Sequence, residues 1–582
     1  FTVIHKVPGM VNRDDALAGK NLTDYAVVAM IGIGGIRESH NIGGFFATDR
    51  KDGPEWEPVP GAEPAVWMNV KRLDELFTQA DAEARKYGLT WFFQANSRPK
   101  YATPAVYEAM AAALVGRYKD RCRTWEVENE PNFGYTPEKY VAECVIPFAK
   151  GAKRADPGCA ILGPGGCGVR DTLRFMEAIY AAGQGKWFDQ ISTHTYPGPG
   201  EAWGRFGNLA MLGQLRAWMK EHGDAAKPLW QTEQGYNWEL NPKGQAARYA
   251  ARQFLQGWRM GIEPSRQYYF YPQAHGFESW YQSGGGEAGS EHSWLPVAAA
   301  HRFVAENTLG RTYAGDVPAP YKGVYLPRFT GEAGDVVAAW TFDFAMDLKV
   351  RAKGLRQVVG YMGNPLDIKA AADGTLVLPL SGDPLYVHLE KGGALEVLTP
   401  AFGPNLAAKD AGGAAAASSA DAKHPAALAN DGNWELWEDA PGLPGRTSWI
   451  SDRMDPTPKE PDWLEVTFPA PRKVSRLVML GYLPAVNPSP RDFEFQVREG
   501  GRWRTVASGK DEGTWVLYRE FPPAMATAVR MVVTRINDGW QGDRRWMHVL
   551  MGPDAKNYTA SKLMVAELEA YGPEQAATAG VE

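Results

Sequence analysis

Cysteine is scarce in this chain. Only Cys122, Cys144, Cys159 and Cys167 occur in 582 residues, and no C-x-x-C pair is among them. That spacing argues against a zinc site, and the four cysteines allow three disulfide pairings between which sequence alone does not choose. Basic runs are missing as well. With a formal net charge of −6, nucleic acid is not an expected partner. The longest apolar stretch, Tyr25 to Ile36, has 12 residues and includes three glycines, whereas a membrane-crossing helix needs ~20. No membrane span is expected. No G-x-G-x-x-G follows the first candidate strand, so the usual mark of a dinucleotide-binding open sheet is lacking. The chain begins at Phe1 without a Met or a signal-like apolar segment, which suggests a processed or trimmed N-terminus.

What is present is material for large cores. Hydrophobic residues make up 44% of the chain and charged residues 22%, which excludes disorder as the dominant state. The 63 Gly and 42 Pro exceed the usual combined share of ~12% and point to many turns. Twenty-one Trp, 24 Tyr and 23 Phe supply flat faces that fill cores and, in a cleft, stack on sugars. At ~150 residues per domain, three or four domains are expected.

From Phe1 to about Thr312, short apolar runs alternate with stretches of helical spacing. The candidate strands are Thr2–His5, Gly34–Arg37, Thr90–Ala95, Thr124–Asn129, Ala160–Gly163, Gln190–His194, Leu229–Thr232 and Gln267–Tyr271. Helical periodicity lies at Leu73/Leu76/Ala80/Ala84, Val106/Met110/Ala113/Leu114, Tyr140/Val141/Cys144/Val145/Phe148, Leu212/Leu215/Met219, Ala247/Ala250/Phe254/Leu255/Trp258 and after Ser293. Thr136-Pro137 reads as an N-cap followed by Pro at the first helical position. Eight β-then-α units predict a (β/α)8 TIM barrel over residues 1–312. Beyond it the pattern predicts a small ancillary β-sandwich at 313–395 and a low-complexity linker at 396–417 containing AGGAAAASSA. A second β-sandwich, a jelly roll, is predicted at 418–575.

In a barrel of this kind catalytic groups sit at the C-terminal strand ends. The fourth strand runs into Asn129-Glu130-Pro131 and the seventh into Thr232-Glu233-Gln234. Two carboxylates facing one cleft are what glycoside hydrolysis needs: one protonates the leaving oxygen and the other attacks the anomeric carbon. Taken singly, either Glu reads equally as a solvated charge at a strand end. By period-two parity Glu126, Glu128 and Glu130 point to one side of the strand. Glu128 stands where a small or apolar group is expected; it either perturbs Glu130 or marks a bulge that swings it away.

Asn-Glu-Pro closing strand four resembles the clan A glycoside hydrolases. So do the second Glu closing strand seven, Arg37 on strand two and the Ser-Thr-His-Thr-Tyr run at 192–196, and in layout the chain is most similar to family 39 and its relatives. The resemblance implies a retaining glycosidase with Glu130 as general acid/base and Glu233 as nucleophile, and no cofactor for catalysis. It further implies that Asn129 bonds the sugar 2-hydroxyl and that Arg37 holds Glu233 ionised. His194, Tyr196 and Asn96 would contact the nucleophile or the substrate. The negative charge of Glu233 would keep Glu130 protonated until the glycosyl-enzyme forms. A long segment from His275 to Trp294, with Trp280 and a Gly-Gly-Gly run, is expected to wall the sugar site.

The C-terminal segment resembles discoidin-type domains, including family 32 carbohydrate-binding modules. The residues that carry this are Ser418-Ser419, His424-Pro425, Asn430-Asp431-Gly432, Thr447-Ser448-Trp449 and Val565-Ala566-Glu567-Leu568-Glu569. The resemblance implies a structural Ca2+ with Asp431 and Glu567 as ligands; Trp434, Trp437 and Trp540 fall in loop-like stretches and are expected to stack a sugar. Trp449 and Trp463 are expected in the core. The expected activity is hydrolysis of β-linked glycans by a secreted, periplasmic or cell-surface enzyme. A non-catalytic carbohydrate-binding or adhesion protein with a degenerate barrel is the rival, and a transglycosylase would use the same residues.

Overall fold

The computed structural model describes residues 2–6, 25, 29, 34–49, 53–195, 209–234, 246–262, 267–269, 281–282, 293–294, 296–432, 448–453, 455–481, 489–512, 514–536 and 562–573. The chain divides into two compact units; the second holds the residues from Asn307 onward and also the helical residues Ala246 to Leu255.

The first unit is built on eight parallel strands: β1 (Thr2–Lys6), β2 (Gly35–Asn41), β3 (Thr90–Asn96), β4 (Thr124–Val127), β5 (Ala160–Cys167), β6 (Gln190–Thr195), β7 (Leu229–Gln234) and β8 (Gln267–Tyr269). Each pairs with its neighbour in sequence, and β1 pairs with both β2 and β8, so the ring closes. Helices α1 (Val70–Tyr87), α2 (Pro104–Tyr118), α3 (Pro137–Ala155), α4 (Val169–Ala181), α5 (Leu209–Glu221), α6 (Ala246–Arg259) and α7 (Pro296–Thr308) follow strands two to eight in order.

Local chemistry explains their limits. Asn69 caps α1 by accepting the Arg72 N–H, and Gly88 ends it in the left-handed conformation. Val70, Leu73, Phe77, Ala80 and Ala84 form the buried face of α1, the i, i+3, i+4, i+7 stripe of an amphipathic helix. Thr103-Pro104 and Thr136-Pro137 open α2 and α3, and α3 widens into a π-helical turn at Val141–Val145. Helix α4 was not expected from the sequence, although Thr172, Phe175, Met176 and Ile179 supply its buried face at helical spacing. Between β2 and α1 lies a small antiparallel sheet of Phe46–Ala47, Trp56–Pro58 and Trp67–Asn69, also unanticipated. All four cysteines are free and buried, so none forms a disulfide.

The second unit contains two antiparallel sheets. In the first, β9 (Arg311–Asp316), β10 (Val324–Tyr325), β11 (Pro327–Gly331), β12 (Asp335–Thr341), β13 (Met346–Gly360), β14 (Pro365–Leu366), β15 (Thr375–Leu380) and β16 (Leu385–Val397) join as β9-β11-β12-β16-β13-β14. Strand β10 pairs with β12 and β15 with β13. The second sheet comprises β17 (Ala414–Ala417), β18 (Trp449–Ile450), β19 (Asp462–Gly481), β20 (Pro490–Glu499), β21 (Arg502–Gly509), β22 (Val516–Ile536) and β23 (Met564–Tyr571). Its order is β18-β23-β19-β22-β20-β21, with β17 on β19.

The stretch expected as a linker, 396–417, is partly strand. Ala414–Ala417 pair with Leu464–Thr467, Ala407 is fully buried in the core beside Leu464 and Phe468, and Lys409 N–H donates to Asn430 O. Trp449 lies in that core as expected, while Trp463 is half-buried rather than enclosed.

Candidate active site

Arg37 organises the ring interior. It is the third residue of β2, not its last, and is fully buried. Its Nε donates to Glu126 Oε2 at 2.7 Å, its Nη1 to Glu233 Oε1 at 2.7 Å and its Nη2 to Asn129 Oδ1 at 3.1 Å. Burial works against the guanidinium charge, but Glu126 and Glu233 more than compensate and hold the Arg37 pKa above its ordinary value. A planar fork whose donors are spread over three nitrogens meets three separated acceptors at once, a spacing that the single nitrogen of an ammonium does not match.

Backbone irregularities aim the other side chains. Strand β4 stops at Val127 because Glu128 takes φ +65° and Glu130 φ +46°, so the period-two expectation for 126, 128 and 130 fails. Glu126 stays inside, where its Oε1 accepts the Thr232 hydroxyl at 2.7 Å. Glu128 turns away: its carboxylate accepts the backbone N–H groups of Ser97 and Arg98 at 2.9 and 2.8 Å. This answers the alternative left open by the sequence in favour of a swung-out side chain. On β7 the register against β6 shifts between Gln231 and Glu233. The shift lets two consecutive residues face inward, Thr232 to Glu126 and Glu233 to Arg37. Gly165 on β5 has φ +58°, and a Cβ there would lie 3.0 Å from Glu126 Oε1, so the position suits glycine alone.

Glu130, His194 and Glu233 converge. One side-chain ligand atom from each lies within 4.8 Å of the others. His194, fully buried and the ladder partner of Cys167, places Nδ1 2.9 Å from Glu130 Oε1 and 3.5 Å from Glu233 Oε2. The Glu233 side chain is 3% exposed and that of Glu130 19%. One carboxylate is therefore sealed against Arg37 while the other opens to solvent. One oxygen of each carboxylate thus lies within 4.8 Å of one of the other, close enough for both to face a single sugar carbon. The three atoms are near enough to share a cation, and Glu233 presents Oε1 to Arg37 and Oε2 toward His194.

Asn129 Oδ1 is occupied by Arg37 and, at 2.8 Å, by Gln94 Nε2. These two bonds fix the orientation of the amide, with Oδ1 toward Arg37 and Gln94. Asn96 ends β3, its Oδ1 accepting the Ser97 hydroxyl at 3.2 Å. Tyr196, Trp280, Trp434, Trp437 and Trp540 lie outside the described residues. Sequence reading missed Gln94, which ties Asn129 to the Glu128 carbonyl. Its place beside Glu126 in the β3–β4 ladder was the available signal.

In the second unit Glu567 is fully buried, its Oε1 accepting the Gly432 N–H at 2.7 Å and its Oε2 finding no donor among the described residues. Burial, with Glu569 and Asp431 nearby, pushes its carboxyl up to about 9. A buried oxygen lacking a donor beside a second carboxylate fits a hard cation. Glu569 is otherwise engaged, by the Tyr321 and Tyr571 hydroxyls and by Lys322.

Comparison with solved structures accords with this geometry. A family 39 glycoside hydrolase from the gut symbiont Bacteroides cellulosilyticus WH2 superposes with a TM-score of 0.51 at 18% identity, covering 67% of this chain and 80% of that one. Over the covered two thirds of this chain the two share a fold. The family 39 enzyme of Xanthomonas axonopodis pv. citri gives 0.45 at 15% identity, over 67% and 93% of the two chains. Residues 414–550 match the F5/8 type C domain, the discoidin-like module. A family 32 carbohydrate-binding module from C. perfringens, solved with galactose, aligns over 28% of this chain and 94% of its own at 21% identity and a TM-score of 0.20. No curated protein sequence matches the chain.

Proposed function

We propose that the chain is a retaining glycoside hydrolase acting on β-linked glycans, its eight strands forming the core of a (β/α)8 barrel. The observation that carries this reading is the approach of Glu130 and Glu233 to within 4.8 Å, with Arg37 bound to Glu233. In the first step the Glu233 carboxylate attacks the anomeric carbon. The bond to the leaving oxygen breaks as Glu130 delivers its proton to that oxygen, and an ester joins sugar and enzyme. In the second, Glu130 takes a proton from water, the resulting nucleophile attacks the same carbon and Glu233 departs. The imidazole of His194, bonded to Glu130, orients that carboxyl toward the cleft. Asn129 Nδ2 meets the 2-hydroxyl, a contact that tightens in the oxocarbenium-like transition state.

The proposed domains are a catalytic barrel from 1 to about 306, an antiparallel domain from about 311 to 397, and a glycan-binding module from about 405 to 573. In the module Trp434, Trp437 and Trp540 offer stacking faces. Asp431 and Glu567 would hold Ca2+, whose charge would compensate their carboxylates. A polymeric glycan substrate favours action outside the cytoplasm.

The test is a panel of aryl glycosides assayed with wild type, Glu130→Gln and Glu233→Gln, with product anomers followed by NMR. Wild type should release product with retained configuration. Glu233→Gln should be inactive, and Glu130→Gln should lose about 10²–10⁴-fold on substrates with poor leaving groups. Inverted products, or activity surviving Glu233→Gln, would refute the assignment.

A further inference from the structure

Ser97 (φ +59°), Glu128 (φ +65°) and Glu130 (φ +46°) all occupy the left-handed region, and none is glycine. Such residues persist only where their surroundings over-determine them, and they cluster at functional sites. The restraint here runs through one side chain. Glu128 is 3% exposed, and each of its oxygens takes one backbone N–H from the loop leaving β3: Oε2 from Ser97 at 2.9 Å, Oε1 from Arg98 at 2.8 Å. Its own N–H donates to Ala95 O at 3.0 Å, and its carbonyl accepts Gln94 Nε2 at 3.0 Å. Two residues on, the Glu130 N–H donates to Gly165 O at 3.2 Å.

We propose that Glu128 is the positioning residue of the acid/base: its buried carboxylate clamps the loop after β3 to the loop after β4 and fixes the direction in which Glu130 offers its proton. The proposal rests on the double-displacement reading given above. A carboxylate is required because two N–H donors need two acceptor oxygens. An amide presents one oxygen and one NH2, and the NH2 would confront an N–H. The groups around Glu128 are Arg98, Cys144, Tyr107, Tyr135 and Tyr140. Arg98 is itself tied to Glu143 and to the Ala102 carbonyl. Asn129 is held separately by Arg37 and Gln94, so slack at 128 passes chiefly to Glu130.

Leaving-group dependence tests this. A strongly activated aryl glycoside departs with little help from a proton; an alkyl glycoside of the same sugar does not. Glu128→Gln should lower kcat/KM on the alkyl substrate by about ten- to a hundredfold. On the activated one kcat/KM should stay within about threefold of wild type, while kcat and KM fall together because Glu130 must still act as base in the second step. Glu128→Asp, which keeps both oxygens on a shorter stem, should recover part of the loss. Equal losses on both substrates, or none, would overturn the proposal. Hydrogen exchange at the Ser97 and Arg98 amides is a readout independent of turnover. Both should be protected in wild type and at least about tenfold faster in Glu128→Gln; unchanged exchange would mean there is no clamp. A protein inert on every glycoside yet protected at these amides would retain the clamp while refuting the hydrolase.

Discussion

A single guanidinium at position 37 neutralises two buried carboxylates and orients an amide. Removing it strands Glu126 and Glu233 away from water, and losing one partner of a buried ion pair costs roughly 3–5 kcal/mol. Arg37→Ala should therefore lower the urea midpoint of the barrel steeply. Arg37→Lys should fold but turn over slowly, because one ammonium cannot span Glu126, Glu233 and Asn129 together. Equilibrium unfolding and steady-state kinetics of the two variants separate these effects. At this scale much was readable from sequence. Glu130, Glu233, Arg37, His194 and Asn129 converge because strand ends in a closed ring are neighbours however far apart they lie in the chain. Glu128 was not readable. Parity counting assumes extended backbone, and nothing in Glu-Asn-Glu announces two left-handed residues.

Strand β5 places a steric demand on the site. Gly165→Ala would force a side chain into the left-handed region and bring its Cβ to 3.0 Å from Glu126 Oε1. The expected cost exceeds ~1 kcal/mol, with a parallel loss of activity as the Glu126–Arg37 contact shifts; thermal melting and turnover measured together would check this. Element limits were legible where capping chemistry is local, as at Thr103-Pro104 and Thr136-Pro137. They were lost where tertiary pairing decides. Four alanines at 414–417 have little intrinsic strand preference and read as a linker, yet their backbone completes the ladder to β19. Helix α4 was not legible although its buried stripe is regular, because a glycine-rich strand runs into it through Gly168 with no capping side chain.

For the whole molecule, the two compact units should answer differently to pH and calcium. Native Glu567 holds its proton to about 9, against an ordinary value of 4.5. Between those limits the folded state binds the extra proton and the unfolded state does not. In chelator the stability of the second unit should therefore fall as pH rises from about 5 to about 9, by at most ~1.4 kcal/mol per unit, and then level off. Calcium should reverse the trend, since it binds the ionised form and stabilises by mass action. Glu567→Gln should flatten both responses. Differential scanning calorimetry across pH, with and without Ca2+, reads this directly; a second-unit transition indifferent to both would exclude the cation site.

The four thiols sealed inside the first unit bear on what happens once it opens. Burial raises the pKa of each above that of a free thiol, so a maleimide dye should leave the native protein unlabelled and capture four equivalents in guanidinium. After heating in air, those groups meet one another as well as oxygen, and chains crosslinked at random cannot return. Recovery on cooling should accordingly be poor unless dithiothreitol is present, and replacing all four cysteines should make the transition reversible without it.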